Sequence, residues 1–258
     1  MTLRIHLISA WNGGAGRTFT AALLAFGMHL QGRRTLLIRQ IHSGSLGVSD
    51  AFAATLPLPY RELRLPDPYA LPSDLGAAMT SLVHAADGRF IDAVHDLALK
   101  EVGADADVVI DLCCHERSLN EATLREATVV LVPARAPLFE SDWSARTLIG
   151  IRYAHRDRHL LVPTLVGTIV PEQDRAQHMS KLSGLLRDCD PDQDLLPGDP
   201  TDIMVAVPFL DDAELLALFD ERPIWHDLDL QARCTAFATV VDERADAIMA
   251  TILEHIEL

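Results

Sequence analysis

The stretch that most limits what this chain can fold into lies near its start. Leu3-Arg4-Ile5-His6-Leu7-Ile8 is a short apolar run that reads as a buried strand. Phe19 to Gln31 carries Ala22, Leu23, Phe26 and Leu30 at helical spacing. Between them stands Ser9-Ala10-Trp11-Asn12-Gly13-Gly14-Ala15-Gly16-Arg17-Thr18. A glycine-rich turn from strand to helix lets successive backbone N–H groups converge on an anion. The helix N-terminus adds its partial positive charge. Thr18, in the first turn, is placed to offer its hydroxyl to a magnesium ion.

The rest of the chain continues this alternation. Gly32 stops the first helix, and Arg33 to Ile38 forms a second strand running into Arg39-Gln40-Ile41-His42. Residues 46–72 hold Pro57, Pro59, Pro66, Pro68 and Pro72 and read as a surface excursion without a regular element. Helices are expected at about 73–86 and 88–102. Asp107-Val108-Val109-Ile110-Asp111 reads as a buried parallel strand. Ser118 and Glu121 suggest a capping box for a short helix to about Glu126. Strands are expected at 128–133, 160–170 and 203–208, and helices at about 140–154 and 174–187. The segment from Asp211 on is expected to be helical, with one break at Pro223. Such alternation implies one doubly wound α/β domain over residues 1–258, a mostly parallel sheet with helices on both faces. Ligands of such sheets bind beyond the carboxyl ends of the strands, where the glycine loop, Arg39, Asp111, Pro133 and Pro208 all fall.

Composition bounds the partners. A net charge of −15 opposes nonspecific DNA binding by the surface as a whole. The four cysteines, Cys113, Cys114, Cys189 and Cys234, have no metal-ligand spacing, which fits a reduced, cytoplasmic protein. Cys113-Cys114-His115-Glu116 invites a metal reading, but adjacent thiols suit a single ion poorly and no second cluster completes a site. No leader peptide and no transmembrane segment are expected. The tail from Ala245 carries Glu254 and Glu257 and no basic residue except His255, so membrane attachment is not expected. Arg152 with His155-Arg156-Asp157-Arg158-His159 offers a DNA-facing patch or, more plainly, a solvated face. Trp143 and Trp225 read as packing residues.

These residues together resemble the ParA/MinD group of P-loop ATPases, whose deviant Walker motif reads Lys-Gly-Gly-x-Gly-Lys-Thr. Gly13-Gly14-Ala15-Gly16-Arg17-Thr18 matches the loop, and Gln31-Gly32-Arg33-Arg34-Thr35-Leu36-Leu37-Ile38 the second strand. Asp107 to Asp111 resembles the family's strand framed by aspartates, and Val132-Pro133 its following Val-Pro. Val207-Pro208-Phe209-Leu210-Asp211 and Phe219 to Ile224 resemble its adenine-side segment and the turn after it. Residues 111–159 bear a looser likeness to relatives that assist conjugative DNA transfer. The resemblance implies that Asn12, Gly13, Gly14, Ala15, Gly16, Arg17, Thr18 and Pro208 hold ATP or ADP. It also implies that Thr18 and Asp111 hold Mg²⁺ whenever nucleotide binds.

The departures carry as much information. The family's signature lysine, which reaches a partner's nucleotide across the dimer, is Asn12 here. The second lysine is Arg17, longer and forked, suited either to phosphate or to a salt bridge with a carboxylate such as Asp111. Lys100 and Lys181 are the only lysines, so a general drift from lysine to arginine is a plainer source of Arg17. The family's second strand ends in Asp-x-Asp, which positions water and supports the metal shell; those positions are Arg39 and Ile41. Phosphoryl transfer works by positioning and charge stabilisation, and removing one oriented group costs roughly a hundred- to a thousandfold. No catalytic residue is assigned. These losses imply a degenerate member, a pseudo-ATPase adaptor or spatial organiser in a bacterial partition, DNA-transfer or cellulose-secretion machinery. Its partner would be another protein of that assembly, with a homodimer also open. The alternative is an active ParA-type ATPase with a nucleotide-switched dimer. A biosynthetic relative would need the missing carboxylates.

Overall fold

A computed structural model describes residues 3–10, 16–42, 55–65, 76–112, 121–136, 138–157, 162–192, 195, 198–220 and 222–256. In chain order the elements are β1 (Arg4–Ile8), α1 (Arg17–Leu30), β2 (Thr35–His42), β3 (Tyr60–Leu65), α2 (Gly76–Glu101) and β4 (Asp107–Asp111). There follow α3 (Glu121–Arg125), β5 (Val129–Arg135), α4 (Leu138–Asp157), β6 (Thr164–Ile169) and α5 (Glu172–Cys189). A 3₁₀ turn (Pro200–Ile203) leads into β7 (Met204–Ala206), α6 (Asp212–Phe219) and α7 (Leu228–Ile256).

The strands form one sheet of seven in the order β3-β2-β4-β1-β5-β6-β7, and every pairing is parallel. The central strands read as unbroken apolar runs because helices shield both faces; all five residues of β4 are buried. From β1 the chain winds toward β3 in one direction and toward β7 in the other. On one face α1 packs along α7, where Phe26 meets Trp225 edge-on with ring centroids 5.0 Å apart.

Three expected elements needed correction. β3 lies inside the proline-rich stretch that reads as irregular. Pro59 and Pro66 bracket it without entering it, so its backbone is free to pair with β2 as an edge strand. The two helices expected at 73–86 and 88–102 are one helix, α2, because Gly88 stays within the helix instead of turning it to a stop. The last strand is shorter than expected, its start taken by the 3₁₀ turn that Asp199 caps through Thr201 N–H at 2.9 Å. Trp225 is buried as expected, whereas Trp143 is half exposed. The capping residue Ser118 and Cys113 to Glu116 lie outside the described residues.

At the amino edge of the sheet, Asp107 gathers three elements. His6 Nε2 lies 3.0 Å from its Oδ1, Arg33 Nε donates to its Oδ2 at 2.7 Å, and Arg4 adds a bond at 3.0 Å. Arg33 also pairs with Asp242 on α7. Burial pushes the Asp107 carboxyl up, but the His6 and Arg33 bonds and charges win and hold it well below the usual carboxylate range.

Candidate functional site

At the opposite, carboxyl edge, strand register sets the site. β3, β2 and β4 are neighbours, and Glu62, Arg39 and Asp111 stand side by side across them. Side chains at matched positions of adjacent strands share a face, so these three point the same way. Arg39 Nε is 3.5 Å from Asp111 Oδ2, and Arg39 Nη1 is 3.9 Å from Glu62. α1 brings its first turn over the same edge. Thr18 Oγ1 donates to Asp111 Oδ2 at 2.7 Å, and Arg17 Nη1 donates to the Leu112 carbonyl. Burial raises the Asp111 carboxyl against the opposing pull of Arg17, the Thr18 hydroxyl and Arg39.

Gly16 makes the turn into α1 possible. Its φ of +83° is left-handed, and a Cβ there would lie 2.6 Å from Ile169 Cδ1 at the end of β6. The loop residues Asn12, Gly13, Gly14 and Ala15 lie outside the described residues. Beyond Ile169, a cleft of about 740 Å³ opens between the β6–α5 turn, the β7–α6 turn and α7. Pro171, Arg175, Pro208, Phe209, Arg233 and Phe237 are among its walls. Arg233 braces it, donating to the Phe209 carbonyl at 2.6 Å and pairing with Asp229 at 2.8 Å.

The structure thus brings Thr18 and Asp111 together and places Pro208 in the wall of this cleft. Sequence reasoning placed Arg39 at this edge and left Arg17 open between phosphate and a carboxylate such as Asp111; Arg39 makes the ion-pair contact, while Arg17 acts on Asp111 through its charge. Glu62 was missed with β3, and Arg233 was missed because a helical arginine gives no signal of facing a cleft. Arg152 is not part of a DNA-facing patch. It donates to the carbonyls of Leu195 at 2.8 Å and Thr164 at 3.1 Å, and burial brings its guanidinium down to about 10. Among the described residues no group of three or more His, Cys, Asp or Glu side chains could hold a metal ion, and no helix is long and apolar enough to cross a membrane.

No family model matches the sequence, and no curated protein matches it. Solved structures do match. McdA of Cyanothece in complex with ATP aligns over 93% of this chain and 96% of its own, at 14% identity and a TM-score of 0.53. ParA of pNOB8 bound to nonspecific DNA aligns over 95% and 99%, at 15% identity and 0.54. MinD in the Aquifex aeolicus MinC:MinD complex aligns over 93% and 96%, at 12% identity and 0.55. The chain has the ParA/MinD fold. Within the ParA/MinD fold, Gly16, Thr18 and Asp111 lie at the carboxyl edge of β1 and β4, as a parallel sheet with this strand order requires. Arg39 faces Asp111 from β2 at that same edge, 3.5 Å from its Oδ2.

Proposed function

We propose that this chain is a ParA/MinD-type protein without effective phosphoryl transfer, working through protein contacts as an adaptor or spatial organiser. The observation that carries the reading is Arg39. Where the resemblance calls for a carboxylate that positions water, a guanidinium faces Asp111 at 3.5 Å. With Asn12 and Arg17 replacing both loop lysines, several charge-handling groups are lost together, and each such loss costs about a hundred- to a thousandfold. Asn12, Gly13, Gly14, Ala15, Gly16, Arg17, Thr18 and Pro208 form the proposed nucleotide contacts. The assembly served is a bacterial partition, DNA-transfer or cellulose-secretion machinery in the cytoplasm, with a single domain over 1–258. The MinC:MinD structure supports protein contact as a use of this fold. The net charge of −15 speaks against broad DNA binding as that use.

The test is phosphate release from ATP with Mg²⁺ by the purified protein and its Thr18→Ala variant. The expected result is no release above buffer from either. Release by the natural chain that Thr18→Ala abolishes would overturn the reading. An active ParA-type ATPase with a nucleotide-switched dimer would then take its place.

A further inference from the structure

Asp111 has a side chain only 4% exposed, and its Oδ1 has no hydrogen-bond partner among the described residues. Arg39 is 14% exposed, and its buried Nε and Nη1 likewise make no hydrogen bond among the described residues. Its contacts at 3.5 Å to Asp111 and 3.9 Å to Glu62 are electrostatic rather than hydrogen bonds. Arg17 places a second positive charge beside the same carboxylate. Mg²⁺ demands hard oxygen ligands at about 2.0–2.1 Å. A dication held by Thr18 and Asp111 would sit among two guanidiniums in a mostly buried site, where like charges repel strongly. The described residues do not fit Mg²⁺.

The same residues fit a polyphosphate. Arg39 supplies positive charge against Asp111, as the metal otherwise would. The N-terminus of the 14-residue helix α1 adds its partial charge at the same edge. We propose that Arg39 takes the place of the divalent cation, so that this site binds the polyphosphate of a nucleotide without metal. The proposal rests on the reading of the chain as a ParA/MinD-type protein without phosphoryl transfer, and it assigns the site a ligand and a metal independence.

Calorimetric titration of the full chain with ATP, ADP and tripolyphosphate, each in EDTA and in excess Mg²⁺, tests it. ATP affinity is expected to differ by less than about threefold between EDTA and Mg²⁺. Arg39→Ala, checked for folding by circular dichroism, is expected to lose about tenfold or more in EDTA, with Arg39→Lys losing less. Binding tightened about threefold or more by Mg²⁺ in the natural chain overturns the proposal, and this arm needs no variant. Failure of all three probes to bind up to about 1 mM also overturns it, as does an Arg39→Ala chain that binds like the natural one. Phosphate release bears on the parent reading alone, so the two failures are distinguishable.

Discussion

Asp107→Asn is expected to cost about 3–5 kcal/mol of folding stability at pH 7, the range for removing one member of a buried charge cluster. The carboxyl is 2% exposed and is the common acceptor for His6, Arg33 and Arg4. Arg33 is itself 13% exposed, so losing Asp107 leaves a mostly buried guanidinium with Asp242 as its remaining carboxylate. Arg4 is half exposed and contributes little of this total. The pH dependence has a definite sign. A carboxyl held below its unfolded value stabilises the native state above about pH 4, and that contribution fades as pH falls toward the native value. Asp111, raised by burial, acts in the opposite direction: the native state gains from it as pH falls through its raised value. The difference between the natural chain and Asp107→Asn, followed by urea unfolding from pH 7 down to about pH 3, therefore isolates Asp107. That difference should shrink steadily below about pH 4. Asp202→Asn, which removes a surface pair at 3.7 Å, should change stability by less than about 1 kcal/mol. An Asp107→Asn chain as stable as the Asp202→Asn chain would show that the cluster is not what ties β1, β4 and the α1–β2 turn together.

Much of the fold was legible because the central strands are buried on both faces, and a run such as Val108-Val109-Ile110 has no other place to go. The meeting of Gly16, Thr18 and Asp111 at one edge was legible, because parallel order brings the ends of β1 and β4 together. β3 was not legible. An edge strand buries little, so Tyr60-Arg61-Glu62 carries no apolar signal, and the prolines around it point to loop. With β3 went Glu62 and the row Glu62–Arg39–Asp111, since register across three strands is a tertiary fact. Local reading left Arg17 open between phosphate and Asp111 and gave Arg39 no partner, while the sheet delivers Arg39 directly opposite Asp111. The union of 73–86 and 88–102 into one helix shows a related limit. A glycine in a helix interior costs about 1 kcal/mol, which weakens a helix without ending it.

Gly27→Ala is the second substitution with a large expected effect, and its sign is decided by two opposing terms. Alanine favours helix over glycine by about 1 kcal/mol. At Gly27, however, a Cβ would stand 2.1 Å from the carbonyl oxygen of Cys234 and 3.1 Å from Ala238 Cβ, both on α7. Backbone cannot yield as a side-chain tip can, so α1 and α7 must move apart. Overpacking of this kind costs about 1–3 kcal/mol or more, and it wins. Separation also disturbs the Phe26–Trp225 contact at 5.0 Å and the bond from Gln31 to Thr239 at 2.9 Å. Gly184, on α5, has nothing within 4 Å of its built Cβ, so Gly184→Ala should instead stabilise by up to about 1 kcal/mol. Opposite shifts in urea midpoint for the two variants are therefore expected. Equal shifts would mean that the α1–α7 approach is looser than the structure has it. The same contact bears on the site, because α1 carries Arg17 and Thr18 at its start while α7 carries Arg233 and Phe237 along the cleft. Moving the helices apart shifts the start of α1 and the α7 wall of the cleft at once. Gly27→Ala should consequently weaken ATP binding under conditions where the protein is still folded, whereas Gly184→Ala should leave it unchanged.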